Sequence, residues 1–286
     1  MNSLREVLRA AAARLHAAGS SSPRADAEYL LKHVLKKDLF WMRVHEEVRL
    51  ADPDEQRFNE LLRRRLHGEP VAYITGSRGF WSLDLKVNAS TLIPRPETEL
   101  LVEFAIEKMP LNEALRVLDL GTGSGAIALA VKTERPVSTV TAVDASLPAL
   151  EVAAANADRL GLDIELLHSD WFSALQGRQF DLLLANPPYI APDDAHVGQG
   201  DLRFEPLSAL VAPDAGLRDI RRIVTTAPGH LVAGGWLALE HGYDQAAAVR
   251  GLLAENGFRD VATLLDAGGH ERVSCGRRPE TAHALG

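Results

Sequence analysis

The stretch Leu115-Arg116-Val117-Leu118-Asp119-Leu120-Gly121-Thr122-Gly123-Ser124-Gly125-Ala126 reads as a buried strand, a glycine turn and the opening of a helix. Glycines at such a turn let the backbone reverse tightly and let a ligand come close to the main chain. A second strand-like segment, Val137 to Val143, ends at Asp144, about 20 residues beyond the loop, where a carboxylate can accept both hydroxyls of a ribose. Strand, loop, helix and acid at this spacing point to a nucleoside-binding site. The loop alone leaves the nucleoside open, because Gly121-x-Gly123-x-x-Ala126 also fits the relaxed dinucleotide fingerprint. An acid close by, such as Asp119, suits a sulfonium and an ammonium better than a diphosphate, unless it is an ordinary strand-end residue.

Outward from the loop, strand-like and helix-like segments alternate. Ile164 to His168, Phe180 to Ala185, Trp236 to Glu240 and Val261 to Leu265 have strand character, and helical patterns run near 124–132, 147–160, 216–227 and 244–256. This alternation builds an α/β domain with a mostly parallel sheet, whose ligands bind beyond the carboxyl ends of the strands. Pro96-Glu97-Thr98-Glu99 opens a further helix, with a proline suited to its first turn and acids suited to its dipole. Before residue 79 the pattern is helical. Leu4, Val7, Leu8, Ala11 and Leu15 share one face; Ser22-Pro23 is the expected cap and first turn of a second helix, and Asp52-Pro53 of a third. Leu83, Leu85 and Val87 alternate with polar residues as in a strand. The expected organisation is a small all-helical domain over 1–78, a strand or hairpin connector over 79–95, and an α/β domain over 96–286.

The 286 residues carry 31 Lys and Arg against 39 Asp and Glu, a net charge of -8, which disfavours bulk binding to nucleic acid. Arg63-Arg64-Arg65 is the one compact basic run, and the expectation for it is a solvated helix face. No apolar stretch is long enough for a membrane span, and Arg5, Glu6, Arg9 and Arg14 interrupt any signal-peptide pattern, so the cytoplasm is the expected location. The single cysteine, Cys275, excludes an internal disulfide and fits a small core residue. The ten histidines form no ligand motif, so no metal is expected, and His241 reads as structural. Neither a phosphate-loop lysine motif nor a nucleophile elbow is present, which sets aside NTPase, kinase and serine-hydrolase chemistry.

After the apolar run Leu182 to Ala185 stands Asn186-Pro187-Pro188-Tyr189. Two prolines end a strand without adding donors, which leaves carbonyl oxygens free to accept. The Asn186 side-chain oxygen and the Pro187 carbonyl could hold both hydrogens of a planar NH2 group, with Tyr189 on its flat face. An amide nitrogen is a weak nucleophile, so positioning and charge stabilisation would have to supply much of the rate.

Asn186 to Tyr189 downstream of Gly121 to Gly125 resembles the amino-directed, S-adenosylmethionine-dependent methyltransferases. Leu92-Ile93-Pro94-Arg95-Pro96-Glu97-Thr98-Glu99, Asp170-Trp171-Phe172, Phe204-Glu205-Pro206-Leu207-Ser208-Ala209-Leu210 and Leu239-Glu240-His241-Gly242 resemble one branch, the bacterial peptide-chain release factor glutamine N5-methyltransferases. The resemblance spans about residues 68 to 277. It implies a Rossmann-like class I methyltransferase domain with a mostly parallel seven-stranded sheet, and methylation of the glutamine in the Gly-Gly-Gln motif of class 1 release factors. The implied cofactor is S-adenosylmethionine, leaving as S-adenosylhomocysteine. Gly121, Thr122, Gly123, Ser124 and Gly125 would surround its methionine part, Asp144 its ribose hydroxyls and Trp171 its adenine, with Asn186 reaching both cofactor and acceptor. Asn186, Pro187, Pro188 and Tyr189 would hold the acceptor amide, with Asn186, Pro187 and Tyr189 catalytic. The helical domain would recognise the release factor. Arg95 and Glu97 could either close the site or start the helix. Competing readings are another amino acceptor, in nucleic acid or a ribosomal protein, an NAD-dependent oxidoreductase, which leaves Asn186 to Tyr189 unexplained, and a non-catalytic binding module, which would need a damaged loop or tetrapeptide, and both are intact.

Overall fold

The structure, a computed structural model, describes residues 2–195 and 197–280. The chain divides into two compact units, one of Met1–Ser77 with Gly198–Phe204, the other of Arg78–Val197 with Glu205–Gly286.

The first unit is helical: α1 (Leu4–Ala17), α2 (Pro23–Leu35), α3 (Leu39–Val44), α4 (Asp52–Leu66) and α5 (Val71–Thr75). Leu4, Leu8, Leu15, Leu30, Leu31, Phe58 and Leu62 bury the apolar stripes of these helices in one core. Ser3 and Glu6 close a capping box at the start of α1. Two expected caps are corrected. Ser22 is at the N-cap of α2, but its hydroxyl donates to Asp26 Oδ1 (2.9 Å) rather than capping the backbone. Asp52 is the first residue of α4 and Ala51 its cap. The short helices α3 and α5 were not expected, being too brief to show a helical period.

Arg65 departs from the solvated face expected of the basic run. Its side chain is 9% exposed, and its guanidinium bonds Asp26 Oδ2 (2.7 Å), Asp201 Oδ1 (2.7 Å) and the carbonyls of Gly68 and Glu69. A buried arginine needs acceptors for its fork of donors, and two of them lie 39 and 136 residues away in sequence.

The second unit opens with the paired strands β1 (Ser77–Phe80) and β2 (Leu83–Lys86), followed by a short 3-10 turn, Pro96–Thr98, and α6 (Glu99–Lys108). Alternation then follows: β3 (Arg116–Leu120), α7 (Ala126–Glu134), β4 (Thr139–Asp144), α8 (Leu147–Leu160), β5 (Glu165–His168), β6 (Phe180–Ala185), α9 (Arg218–Thr226), β7 (Leu231–Glu240), α10 (Ala246–Glu255), β8 (Arg259–Leu265) and β9 (Glu271–Arg277). The seven-stranded sheet has the order β5-β4-β3-β6-β7-β9-β8, and β9 alone runs opposite to the other six strands. The strand order reverses direction between β3 and β6, the switch point at which an open α/β sheet leaves a crevice. One core cluster, around Leu129, Val140 and Leu184, packs α6 and α7 on the sheet; the other, around Leu183, Ile223 and Val249, packs α9 and α10. Cys275 lies in the first of them.

Candidate active site

At the carboxyl ends of β3, β4 and β6 a pocket of about 690 Å³ opens, within the size range of small-molecule sites. Gly121, Thr122, Gly123, Ser124, Asp144, Trp171, Asn186 and Pro188 line it, whereas Gly125, Pro187 and Tyr189 do not.

The glycine loop is tied to its neighbouring strand: the N–H groups of Gly121 and Thr122 both donate to the Val143 carbonyl (2.9 and 3.0 Å). Gly121 has φ +75°, and a Cβ there would stand 3.3 Å from the Trp171 ring, which explains glycine on both conformational and steric grounds. Gly125, at φ +85°, precedes α7, whose amino end points its free N–H groups and positive dipole toward the loop.

Asp144 ends β4. Its Oδ2 accepts from the Gly123 N–H (2.9 Å) and its Oδ1 from the Ser146 N–H (2.8 Å), and each oxygen keeps further accepting capacity. Burial raises its pKa, and the N–H groups of Ser146, Gly123 and Ala145 oppose that shift. Asp119 is fully buried and does not line the pocket. Its Oδ2 accepts from the Thr122 hydroxyl (2.6 Å) and the Ala128 N–H (3.3 Å), so it braces the loop, while Oδ1 has no partner among the described residues. Burial pushes its pKa up to about 7.

The tetrapeptide follows β6 directly. Asn186 donates from Nδ2 to Thr98 Oγ1 (3.0 Å), and among the described residues nothing donates to Asn186 Oδ1 or to the Pro187 carbonyl. Two unclaimed acceptors thus stand on adjacent residues. The Tyr189 ring packs on the sheet core, and its hydroxyl donates to Glu240 Oε1 (3.1 Å). Burial and the neighbouring Glu240 push the tyrosine pKa up, so the hydroxyl keeps its proton. Beyond Tyr189, Ile190 forms a parallel bridge with Val211, which brings Pro206, Ser208 and Ala209 to the pocket wall. Glu205, buried, accepts from the Ile93 N–H (2.9 Å) and pairs with Arg95. Arg95 therefore ties two wall segments together. Glu97 acts electrostatically, its charge helping to raise the pKa of Glu240.

His241 is structural. It is fully buried, its Nδ1 facing the Gly242 carbonyl (2.8 Å) and its Nε2 the Ser274 hydroxyl (2.8 Å), and burial lowers its pKa. Thr98, Glu240 and the bidentate pair Arg222–Asp170 (2.7 and 2.8 Å) were not expected as site residues, although Thr98, Asp170 and Glu240 all stand in motifs quoted above. A carboxylate closing the apolar run Leu237 to Leu239 was the available signal for Glu240.

Two family models match the chain: the PrmC N-terminal domain over residues 6–76 and the methyltransferase small domain over residues 97–200. Release factor glutamine methyltransferases from Pseudomonas aeruginosa (53% identity; 90% of this chain, 94% of the relative), Salmonella typhimurium (50%; 90% and 93%) and Escherichia coli (49%; 94% and 97%) align over nearly their whole lengths. The chain belongs to the release factor glutamine methyltransferase family. The segments that gave the resemblance within the second unit, Leu92 to Glu99, Asp170 to Phe172, Glu205 to Leu210 and Glu240, converge on one pocket and its wall. The fold agrees with solved structures of a methyltransferase from Pyrococcus furiosus (18% identity, TM-score 0.53; 77% of this chain, 99% of that chain) and of the hMettl16 catalytic domain (15%, 0.57; 89% and 94%). The second unit is a class I methyltransferase domain, as the resemblance implied.

Proposed function

We propose that the protein methylates N5 of the glutamine in the Gly-Gly-Gln motif of class 1 peptide-chain release factors, using S-adenosylmethionine. The observation that carries this reading is the pair of unclaimed acceptors, Asn186 Oδ1 and the Pro187 carbonyl, beside a glycine-loop pocket in a chain about half identical to enzymes of that name. Those relatives do not favour a nucleic-acid amine or a ribosomal-protein glutamine as acceptor.

The pocket residues fit the cofactor. The N–H groups at the amino end of α7 suit the methionine carboxylate, Asp144 retains lone pairs for two ribose hydroxyls, and Trp171 offers a flat face for adenine. S-adenosylmethionine supplies an electrophilic methyl group on a sulfonium. Asn186 and Pro187 each accept one hydrogen of the glutamine amide, which fixes the NH2 plane and leaves the nitrogen face open to the methyl group. As the nitrogen gains positive character its N–H groups become stronger donors, so both hydrogen bonds strengthen toward the transition state, and the methylated nitrogen then gives up one of its two protons to water. Tyr189 acts beneath this corner through Glu240 rather than from the pocket wall. An amide-reading corner accepts glutamines of many sequences, so discrimination is assigned to the helical unit. The cytoplasm, where release factors work, is the proposed location.

The test is to incubate the protein with labelled S-adenosylmethionine and a purified release factor and locate the label by peptide mass spectrometry. Label on the Gly-Gly-Gln glutamine is expected; label elsewhere, or none, overturns the reading. Removing the helices should raise KM for intact release factor far more than for a short Gly-Gly-Gln peptide, provided circular dichroism shows a folded truncate.

A further inference from the structure

Glu240 is a carboxylate at the end of β7, 1% exposed, that the chemistry above leaves without a task. Burying a carboxylate is costly unless each oxygen finds a donor, and both do. Its Oε2 accepts from the Thr98 hydroxyl (2.7 Å) and its Oε1 from the Tyr189 hydroxyl (3.1 Å). Thr98 is itself buried, and its oxygen also contacts Asn186 Nδ2.

The direction of these bonds follows from counting hydrogens. An ionised carboxylate only accepts, so Thr98 must give its one hydroxyl hydrogen to Glu240. The Thr98 oxygen can then only accept from Asn186, so the Asn186 group facing it must be NH2. Asn186 Oδ1 is left toward the acceptor side. Resting on the glutamine-methylation reading, we infer that Thr98 and Glu240 are positioning residues that set the polarity of Asn186, presenting its oxygen and not its NH2 to the substrate amide. With the order reversed, Thr98 would donate to Asn186 Oδ1, and the side chain would offer NH2 to a substrate NH2. Two donors would then face each other and the acceptor corner would lose half of its grip.

The charged and titratable groups facing Glu240 are Tyr189, Glu97 and Arg272, and Arg95 faces Tyr189. Burial, reinforced by Glu97, pushes the Glu240 pKa up to about 7, against the donated bonds from Thr98 and Tyr189 and the charge of Arg272. Protonation of Glu240 removes the compulsion on Thr98, so the relay weakens as pH falls through that value.

The test compares T98V with T98S in the full chain. Valine keeps the shape and removes the hydroxyl, and serine keeps the hydroxyl. With release factor as substrate and saturating S-adenosylmethionine, T98V should lower kcat on the order of tenfold to a hundredfold, the usual range for residues that orient an active group. T98S should recover most of that loss, and the Kd for S-adenosylmethionine should be nearly unchanged in both. Adding T98V to N186A should cost nothing more, because the relay acts only through Asn186. E240Q should flatten the fall of kcat below pH about 7. A readout that needs no substrate is the pair of Asn186 side-chain amide protons in 15N NMR, expected to exchange slowly in the parent and T98S and fast in T98V. Equal kcat in T98V and T98S, or a full further loss on the N186A background, overturns the inference. A parent that methylates no release factor but shows the NMR pattern overturns the functional reading and leaves the relay standing. Exchange unchanged by T98V overturns the relay itself.

Discussion

At the glycine-loop end of the pocket, the lining groups come from neighbouring stretches: Gly121 to Ser124 and Asp144, joined by a contact that spans 21 residues. At the acceptor end they come from segments far apart, with Asn186 meeting Thr98 across 88 residues, Thr98 meeting Glu240 across 142, and Tyr189 meeting Glu240 across 51. The loop end offers backbone N–H groups, which only donate, and the Asp144 carboxylate, which when ionised only accepts, so the polarity of both is fixed. The acceptor end works through side-chain amides and hydroxyls, which can face either way until a neighbour decides. A backbone site therefore depends on conformation, whereas a side-chain site also depends on the direction of each hydrogen bond.

Substitutions at the two ends should separate along this line. The largest effect is expected for N186A, which should lower kcat about a hundredfold or more while the Kd for S-adenosylmethionine changes little. Turnover within about threefold of the parent would show that the acceptor end does not work through this side chain. D144A should do the reverse. Losing charge-assisted hydrogen bonds to both ribose hydroxyls should weaken cofactor binding by roughly 1.5 to 6 kcal/mol in calorimetry, with kcat at saturation less affected. Cofactor affinity unchanged by D144A would place the ribose elsewhere.

G121A probes backbone conformation alone. A Cβ at φ +75°, 3.3 Å from Trp171, should cost roughly 1 to 2 kcal/mol, read as weaker cofactor binding or a lower melting temperature. No change in either would mean that the loop tolerates a side chain after all.

A further effect concerns stability and its dependence on pH. The folded-state pKa of Glu240 is raised to about 7, above its ordinary value of 4.5, so the native state holds a proton that the unfolded chain releases. Its carboxyl therefore costs folding stability progressively as pH rises from about 4.5 to about 7, by roughly 3 kcal/mol once fully ionised. E240Q lacks this cost. Between pH 5 and 8 its melting temperature should rise relative to the parent by several degrees, on top of whatever constant offset the amide brings. Melting curves that shift in parallel with pH would show that Glu240 titrates normally. The same substitution should lower turnover above pH 7, because a charge held at the acceptor end for polarity is held against stability.

Much of this could be read along the chain. The alternating segments that became β3 to β8, the glycine loop and the acid at the end of β4 are local patterns, since strand and helix periods and positive-φ turns are written in consecutive residues. Arg65 shows where such reading stops: at the end of a run of three arginines it looks solvated, and only its contacts with Asp26 and Asp201 show it buried. Ser22 fails as a cap for a related reason, as its hydroxyl finds a better acceptor in Asp26. Pro187 and Tyr189 were expected at the pocket surface. The backbone kept the Pro187 carbonyl unclaimed, while the tyrosine turned its hydroxyl to Glu240.

By itself, the sequence determined the parallel sheet, the position of the glycine loop and the proline-ended strand at Asn186, because each depends on residues adjacent in the chain or one element apart. Only the tertiary structure decided which atom of Asn186 faces Thr98, since that depends on where one hydroxyl hydrogen of Thr98 goes. The hydrogen goes to Glu240 because an ionised carboxylate can only accept, and the sheet sets that carboxylate beside residues 51 and 142 positions away.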